Sequence, residues 1–344
     1  MATYYVRSAG GSDGNSGLSF ALGWATIQYA ADNASTAGDI VLVCADGNHL
    51  PTATVLFDTN TGSRTNPITF RGASAVGVDD GTVAIVSGTS LPATSDLFNY
   101  NLAGINLTVE NMRLTEATRY NITYGFALNS VSSLVHKNVR IDNAGADGIY
   151  DYENSAGVLK TWINCEIDSN TDKGCESSGS GRGGHKLFNC SIHDNGGVGW
   201  EDATTDPKSI YENNLFYKNG GDGLEFSGLV NGPAVSGNVF FGNSGNGMSV
   251  LNTEHDIVCF NNIFRSNGGY GINTNTGAIG QFAYADYNCF NNNTSGAIDI
   301  NSNVAPGDNN ITTDPTFTNE TAGSEDFTLQ SGSPCLDVGL GYNG

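Results

Sequence analysis

The chain has 344 residues, 46 of them glycine, with 38% hydrophobic and only 14% charged residues and a formal net charge of −21. The hydrophobic share can fill a narrow core, which excludes a disordered chain, and the shortage of Lys and Arg excludes a nucleic-acid partner, because a phosphate backbone needs cations. The acidity also opposes an unassisted polyanionic ligand, though it serves equally to keep a long molecule soluble.

Tyr4–Arg7 reads as a strand and Ser12–Gly17 as a turn-rich loop. Trp24–Asn33 follows as a short helix with Trp24, Ile27 and Ala31 on one face, and Gly38–Ala45 returns to a strand. The start, MATYYVRSAGG, has no apolar stretch of the kind that marks a secretory signal, and no run reaches the length that spans a bilayer. Membrane insertion is therefore not expected. Residues 46–110 read as irregular coils, with strands near Ile68–Arg71 and Val83–Val86.

From Asn111 a period sets in. Asn recurs at 111, 138, 164, 189, 214, 238, 262 and 288, and Gly follows in step at 148, 174, 199, 223, 247, 271 and 296. A second Asn column runs through Asn143, Asn170, Asn195, Asn219, Asn243, Asn267 and Asn293. The residue after each mark is apolar in nearly every repeat, for example Met112, Cys190 and Val239 after Asn, and Ile149, Trp200 and Leu224 after Gly. These are short strands separated by turns, with no 3.6-residue period between them. One such repeat cannot bury its apolar side alone, whereas stacked repeats can, in a parallel ladder about 4.8 Å apart. The expected fold is all-β: one single-stranded parallel β-helix in which like residues stack on like and the Asn columns form internal amide ladders. Phe216, Phe240, Phe264 and Phe290 read as core packing, with a sugar-stacking stripe as the lesser alternative. Cys165, Cys190 and Cys289 read as small inward apolar residues, and the odd total of seven cysteines makes a disulfide framework unexpected. After about Val304 the repeat stops. The domain reading is an N-terminal cap at 1–45, the β-helix at 46–303 with regular coils from about 105, and a C-terminal cap at 304–344.

The repeats, best seen in Asn214–Phe226, resemble those of the right-handed parallel β-helix proteins of the pectate-lyase-like superfamily. The opening and closing segments resemble the caps of the same family. The resemblance implies a right-handed solenoid whose site lies on the outer face of one sheet. It leaves function open, because the fold hosts lyases, hydrolases, epimerases, phage tailspikes and non-catalytic surface proteins.

The position two after the repeat Gly is expected to face out, since the one before it faces in. Three successive coils place Glu176, Glu201 and Glu225 there. They are the catalytic candidates, either as paired carboxylates of a glycosidase or as the acidic ladder that calcium-dependent lyases carry. Asp147, Asp151 and Asp172 are the metal candidates, and calcium is the cofactor that the resemblance implies. Tyr150, Tyr152, Asp202 and Asp222 are the carbohydrate-binding candidates. A lyase also needs a base. Lys173, Arg182, Lys186 and Lys218 are near, but none occupies the outward column, which departs from the family's pattern. His136, His185 and His193 show neither metal nor triad spacing. Two functional readings stay open. One is a surface or virion-associated protein, like a tailspike or capsid decoration, that presents a rigid acidic surface, engages polysaccharide and contacts other virion proteins. The other is a polysaccharide-degrading lyase or hydrolase that uses the glutamate ladder. The absence of a visible secretory signal and of an outward lysine favours the first, located on a virion or extracellular surface. The phage resemblance implies a homotrimer, although no coiled coil or stalk is present. Outward acids that serve only as a solvated face are the bland alternative to both.

Overall fold

The computed structural model describes residues 1–59, 62–125, 128, 132–152, 158–178, 184–203, 209–228, 232–251, 257–274, 284–299 and 305–339. Arg182 lies outside them. Short parallel strands stack along one axis, as the period requires. Ten of them, from Val55–Phe57 through Ile149–Asp151, Trp200–Asp202 and Leu224–Phe226 to Gly296–Ile298, make one continuous parallel sheet. Two further ribbons run beside it. One contains Leu159–Ile163, His185–Phe188 and Ile210–Glu212, and the other contains Glu166–Asp168, Ser191–His193 and Leu215–Tyr217. The ribbons merge where Asn106–Thr115 and Ser133–Asp142 run unbroken through both. The chain is a right-handed parallel β-solenoid.

The core is a continuous file of like residues. Phe216, Phe240, Phe264 and Phe290 stack at centroid distances of 5.0, 4.6 and 5.0 Å with planes within 8° of parallel. All four are buried, so the column is core packing and not a sugar stripe. At the start of the chain Thr26 caps the helix Ile27–Asn33 by accepting a hydrogen bond from the Tyr29 N–H, and Ile27, Ala30 and Ala31 enter the core. Trp24 stays outside the expected helix. It bridges to Val6 and stacks on Tyr4 at 4.6 Å. At the far end, the antiparallel pair Phe317–Asn319 and Asp326–Leu329 packs on the flank of the solenoid, against Val239, Phe241, Leu215, Tyr217 and Ile263. Arg265 holds this segment through Glu320 at 2.8 Å and Asp314 at 3.1 Å. No helix among the described residues is long and apolar enough to cross a membrane.

The Asn columns divide in a way the spacing concealed. Ser191 pairs with Leu215 in register, so Cys190 lies beside Asn214, and Asn189 lies beside Asn213. Asn111, Asn138, Asn164, Asn189 and Asn213 all occupy the left-handed region, with φ between 50° and 57°. They turn the corner of each coil, a conformation that Asn tolerates better than most residues. The first four therefore do not belong to the internal ladder, and neither does Asn143 (φ 54°). The ladders proper are Asn214, Asn238, Asn262 and Asn288, and Asn170, Asn195, Asn219, Asn243, Asn267 and Asn293. The same slip of one residue moves Cys289 out of the core column. It is paired with Ile263 and buried on the flank, where its thiol donates to the Thr313 carbonyl.

Asn214 accepts from the Cys190 N–H at 2.8 Å and donates to Leu187 O at 3.1 Å and to Asn238 Oδ1 at 3.0 Å. Asn214→Ala is expected to cost about 1–3 kcal/mol, because buried backbone and amide groups lose their partners. Asn164→Gly, at an exposed left-handed corner, is expected to stay within about 0.5 kcal/mol of wild type. Melting curves of the two variants that coincide would overturn this assignment of the columns.

Candidate functional site on the ten-stranded sheet

Tyr150 pairs with Glu176, Cys175 with Trp200, Glu201 with Glu225, and Glu225 with Ser249. Tyr150, Glu176, Glu201 and Glu225 therefore stand in one file on the outer face, as the sequence pattern predicts. Neighbouring members are about one strand spacing, roughly 5 Å, apart. The same alternation turns Asp151 and Asp202 inward. Asp202 is fully buried and accepts hydrogen bonds from Ser209 Oγ at 2.7 Å and from the Tyr211 hydroxyl at 2.8 Å. Asp151 is buried against Lys160 and His185. Neither reaches the outer face, so the sugar-binding role for Asp202 and the metal-binding role for Asp151 are corrected here.

The turn residues just before the repeat Gly flank the file. They are Asp147, Lys173, Val198 and Asp222. Lys173 reaches across from this position, its Nζ donating to Glu201 Oε2 at 2.5 Å and lying 3.9 Å from Glu176 Oε1. It supplies the cation missing from the outward column. The signal was present in the sequence as Lys173 three residues ahead of Glu176, but its reach depends on the corner geometry. Ser227, which the sequence reading passed over, donates to Glu201 Oε1 at 2.5 Å. Asp222 accepts from the Asn246 N–H and side-chain amide, at 2.5 and 3.3 Å. Asp172 is exposed in its turn. Tyr150 and Tyr152 stand together at 5.4 Å, and Tyr150 also stacks on Tyr120 at 4.6 Å.

A family profile described as a right handed beta helix region matches residues 124–281. Among solved structures, pectate lyase Pel9A aligns over 100% of this chain and 92% of its own, with a TM-score of 0.70 and 18% identity. The right-handed parallel β-helix is the fold of this protein. The A-module of the Azotobacter vinelandii mannuronan C-5 epimerase AlgE6 aligns over 81% of this β-helix protein and 92% of its own chain (TM-score 0.52, 15% identity). An alginate lyase from Paenibacillus sp. str. FPU-7 does so over 82% and 95% (TM-score 0.52, 15% identity). At these identities the likeness is one of fold. No curated protein matches the sequence significantly.

The metal candidates Asp147, Asp151 and Asp172 do not share one face of the β-helix. Asp151 faces the core, and Asp147 accepts the Lys173 backbone N–H at 2.9 Å while sharing a hydrogen bond with Glu176. The Lys173 ammonium lies among the glutamates, bonded to Glu201 and near Glu176. Among the described residues, the group with metal-ligand spacing is Glu166, Asp168 and His193, on another face. Asp168 pairs with His193 across coils, a closeness that linear spacing hides. Arg140 already takes both oxygens of Asp168, at 2.9 and 2.8 Å.

The stacked glutamates do not share their repulsion equally. Burial first, then Glu201 and Asp222, push Glu225 up to about 7, against a smaller opposing effect of Lys173. Burial likewise pushes Asp147 up to about 7, with Glu176 contributing. For an acid raised in the folded state, the unfolded chain gives up its proton at lower pH. The native state therefore loses stability as pH rises towards about 7. Glu225→Gln is expected to raise the melting temperature at pH 8 and to leave it nearly unchanged at pH 4. A variant that melts lower than wild type at pH 8 would mean that Glu225 is well solvated or paired.

Proposed function

We propose that this protein acts on a polysaccharide laid along the outer face of the ten-stranded sheet, and that it cleaves the chain by hydrolysis with Glu225 and Glu201. The observation that carries the reading is the register pair Glu201–Glu225, two carboxylates in opposite environments. Glu225 holds its proton up to about pH 7. Glu201 is surrounded by donors, with Lys173 on one oxygen and Ser227 on the other. Carboxyls whose environments differ in this way divide into an acid and an ionised partner. Their separation of roughly one strand spacing matches the geometry of retaining glycosidases. Glu225 protonates the glycosidic oxygen as the C–O bond breaks, and Glu201 attacks the anomeric carbon to form a glycosyl–enzyme. Water then releases the sugar, giving its proton to Glu225.

Elimination is less well supported. Burial alone would lower Lys173, but Glu201, then Glu176 and Asp147, outweigh it and raise its pKa. A lysine held as ammonium cannot take the proton beside a uronate carboxyl. The solved neighbours named for pectate and alginate chemistry support a polysaccharide as the partner.

The test is a panel of neutral and acidic polysaccharides, each incubated with calcium and with chelator. Reducing ends and the ultraviolet absorbance of an unsaturated product are both followed. Reducing ends without that absorbance support the proposal. An unsaturated product that requires calcium would replace hydrolysis with elimination, and binding without cleavage would favour a glycan-holding surface or virion protein.

A further inference from the structure

We infer that Tyr120, Tyr150 and Tyr152 form a stacking subsite for an uncharged glycan, one coil from the glutamates. The inference deepens the function proposed above and rests on it for the direction in which the chain runs. Tyr150 lies in the outward file beside Glu176. Tyr120 comes from the turn before the preceding strand, Ile122–Tyr124, and stacks on Tyr150 with planes 12° apart. Tyr152 leans on Tyr150 at 35°. All three rings are partly exposed. In a chain that buries Trp162, Trp200, Tyr100, Tyr124 and Tyr211 completely, three half-open tyrosines gathered at one point call for an explanation beyond core packing. Their rings offer apolar surface with few torsions to fix, and their hydroxyls can still hydrogen-bond. A pyranose has the complementary surface, with C–H groups on its face and hydroxyls on its rim.

Polar groups with spare capacity stand beside the rings. Thr123 is the register partner of Tyr150 and is 1% exposed, and its hydroxyl has no hydrogen-bond partner among the described residues. Asn99 Oδ1, next along the same file, is likewise buried without one. Ser178 Oγ reaches the Tyr150 hydroxyl at 3.0 Å.

Among the described residues, the charges around the cluster favour an uncharged sugar. Arg119 lies over the Tyr120 ring at 4.8 Å, and its Nε and one terminal nitrogen bind Asp96, at 2.7 and 2.9 Å. Lys173 is taken by Glu201. Among the described residues both cations beside the cluster already have an acid partner, and the Glu176 carboxylate repels a uronate. A neutral hexose or pentose chain fits, its rings over the tyrosines and its next linkage over Glu201 and Glu225.

The test is calorimetric titration of the full chain with cellohexaose, mannohexaose, xylohexaose and maltohexaose, against polygalacturonate and chitosan oligomers. Ultraviolet difference spectra report the tyrosines directly, because the three tryptophans are at most 4% exposed. One or more neutral oligosaccharides is expected to bind and perturb tyrosine absorbance. Tyr150→Ala and Tyr120→Ala are expected to weaken binding about tenfold with an unchanged melting temperature, and Tyr150→Phe to retain it within about threefold. Tyr120→Ala, in a turn, stands in if Tyr150→Ala fails to fold. Tighter binding of polygalacturonate or chitosan, no binding of any neutral chain, or alanine variants that bind like wild type would each overturn the subsite. Its failure is distinguishable from failure of the catalytic reading. Tyrosine-dependent binding without cleavage keeps the subsite and removes the hydrolase. Cleavage indifferent to the tyrosines does the reverse.

Discussion

Asp151→Ala is expected to be the most destabilising single change in the chain, at about 3–5 kcal/mol. Asp151 is 2% exposed, and Lys160 and His185 are completely buried. Lys160 donates to Asp151 Oδ2, His185 Nε2 lies 3.1 Å from the same oxygen, and the ammonium sits 5.2 Å from the centre of the Tyr124 ring. Removing the carboxylate takes from the buried ammonium the acid that it binds. The penalty should therefore be largely recovered in Asp151→Leu/Lys160→Met, which removes both charges and keeps the volume. Acid provides an independent test. Burial alone would raise Asp151, but Lys160 and then His185 outweigh it and hold the carboxyl at about 2. A depressed carboxyl contributes stability that is complete above its ordinary value of 3.8 and is lost as pH falls through about 2. The gap between wild type and Asp151→Ala should close across that window. A gap that persists to pH 2, or a double variant no better than the single, would show that Asp151 acts through shape and not charge.

Much of this architecture was legible because a solenoid repeats its physics in every coil. The Gly marks and the residues that follow them predicted the ten-stranded sheet and its outward file correctly, and Glu176, Glu201 and Glu225 stand where alternation put them. The Asn marks were less faithful. Asn serves two purposes here, as a left-handed corner and as a buried amide rung. Asn189 and Asn214 carry the same letter in different roles one residue apart. Where the core ceased to be apolar, the pattern gave no warning. Asp151 and Asp202 look like surface acids in sequence because nothing local marks Lys160, Ser209 or Tyr211 as their partners across the interior. Lys173 was visible as a nearby lysine, but the outward-column rule removed it. A corner residue with a four-carbon stem reaches the file from the side.

That reach alters what Glu201→Gln should do. Considered only as the middle of three like charges, Glu201 would be expected to stabilise the protein when neutralised. In the structure it is the best-partnered of the three, bonded to Lys173 and Ser227, and the repulsion falls on Glu225. Glu201→Gln is therefore expected to lower the melting temperature slightly and to reduce hydrolysis by at least 10²-fold, within the range of about 10²–10⁴ typical of a lost acid–base group and larger if the nucleophile is lost. Substrate binding, read as Kd by calorimetry, should stay within about threefold, since the amide keeps the shape and most hydrogen bonds of the carboxylate. Glu225→Gln should lose activity too, and the two variants together should lose little more than either alone, because the pair acts as a unit. The pH profile separates their roles. Wild-type kcat should fall as pH rises through about 7, where Glu225 gives up the proton it must donate. A substrate with a leaving group good enough to depart unprotonated should lose that alkaline limb and should rescue Glu225→Gln but not Glu201→Gln. Rescue of both variants, or of neither, would remove the assignment of Glu225 as acid and Glu201 as its ionised partner.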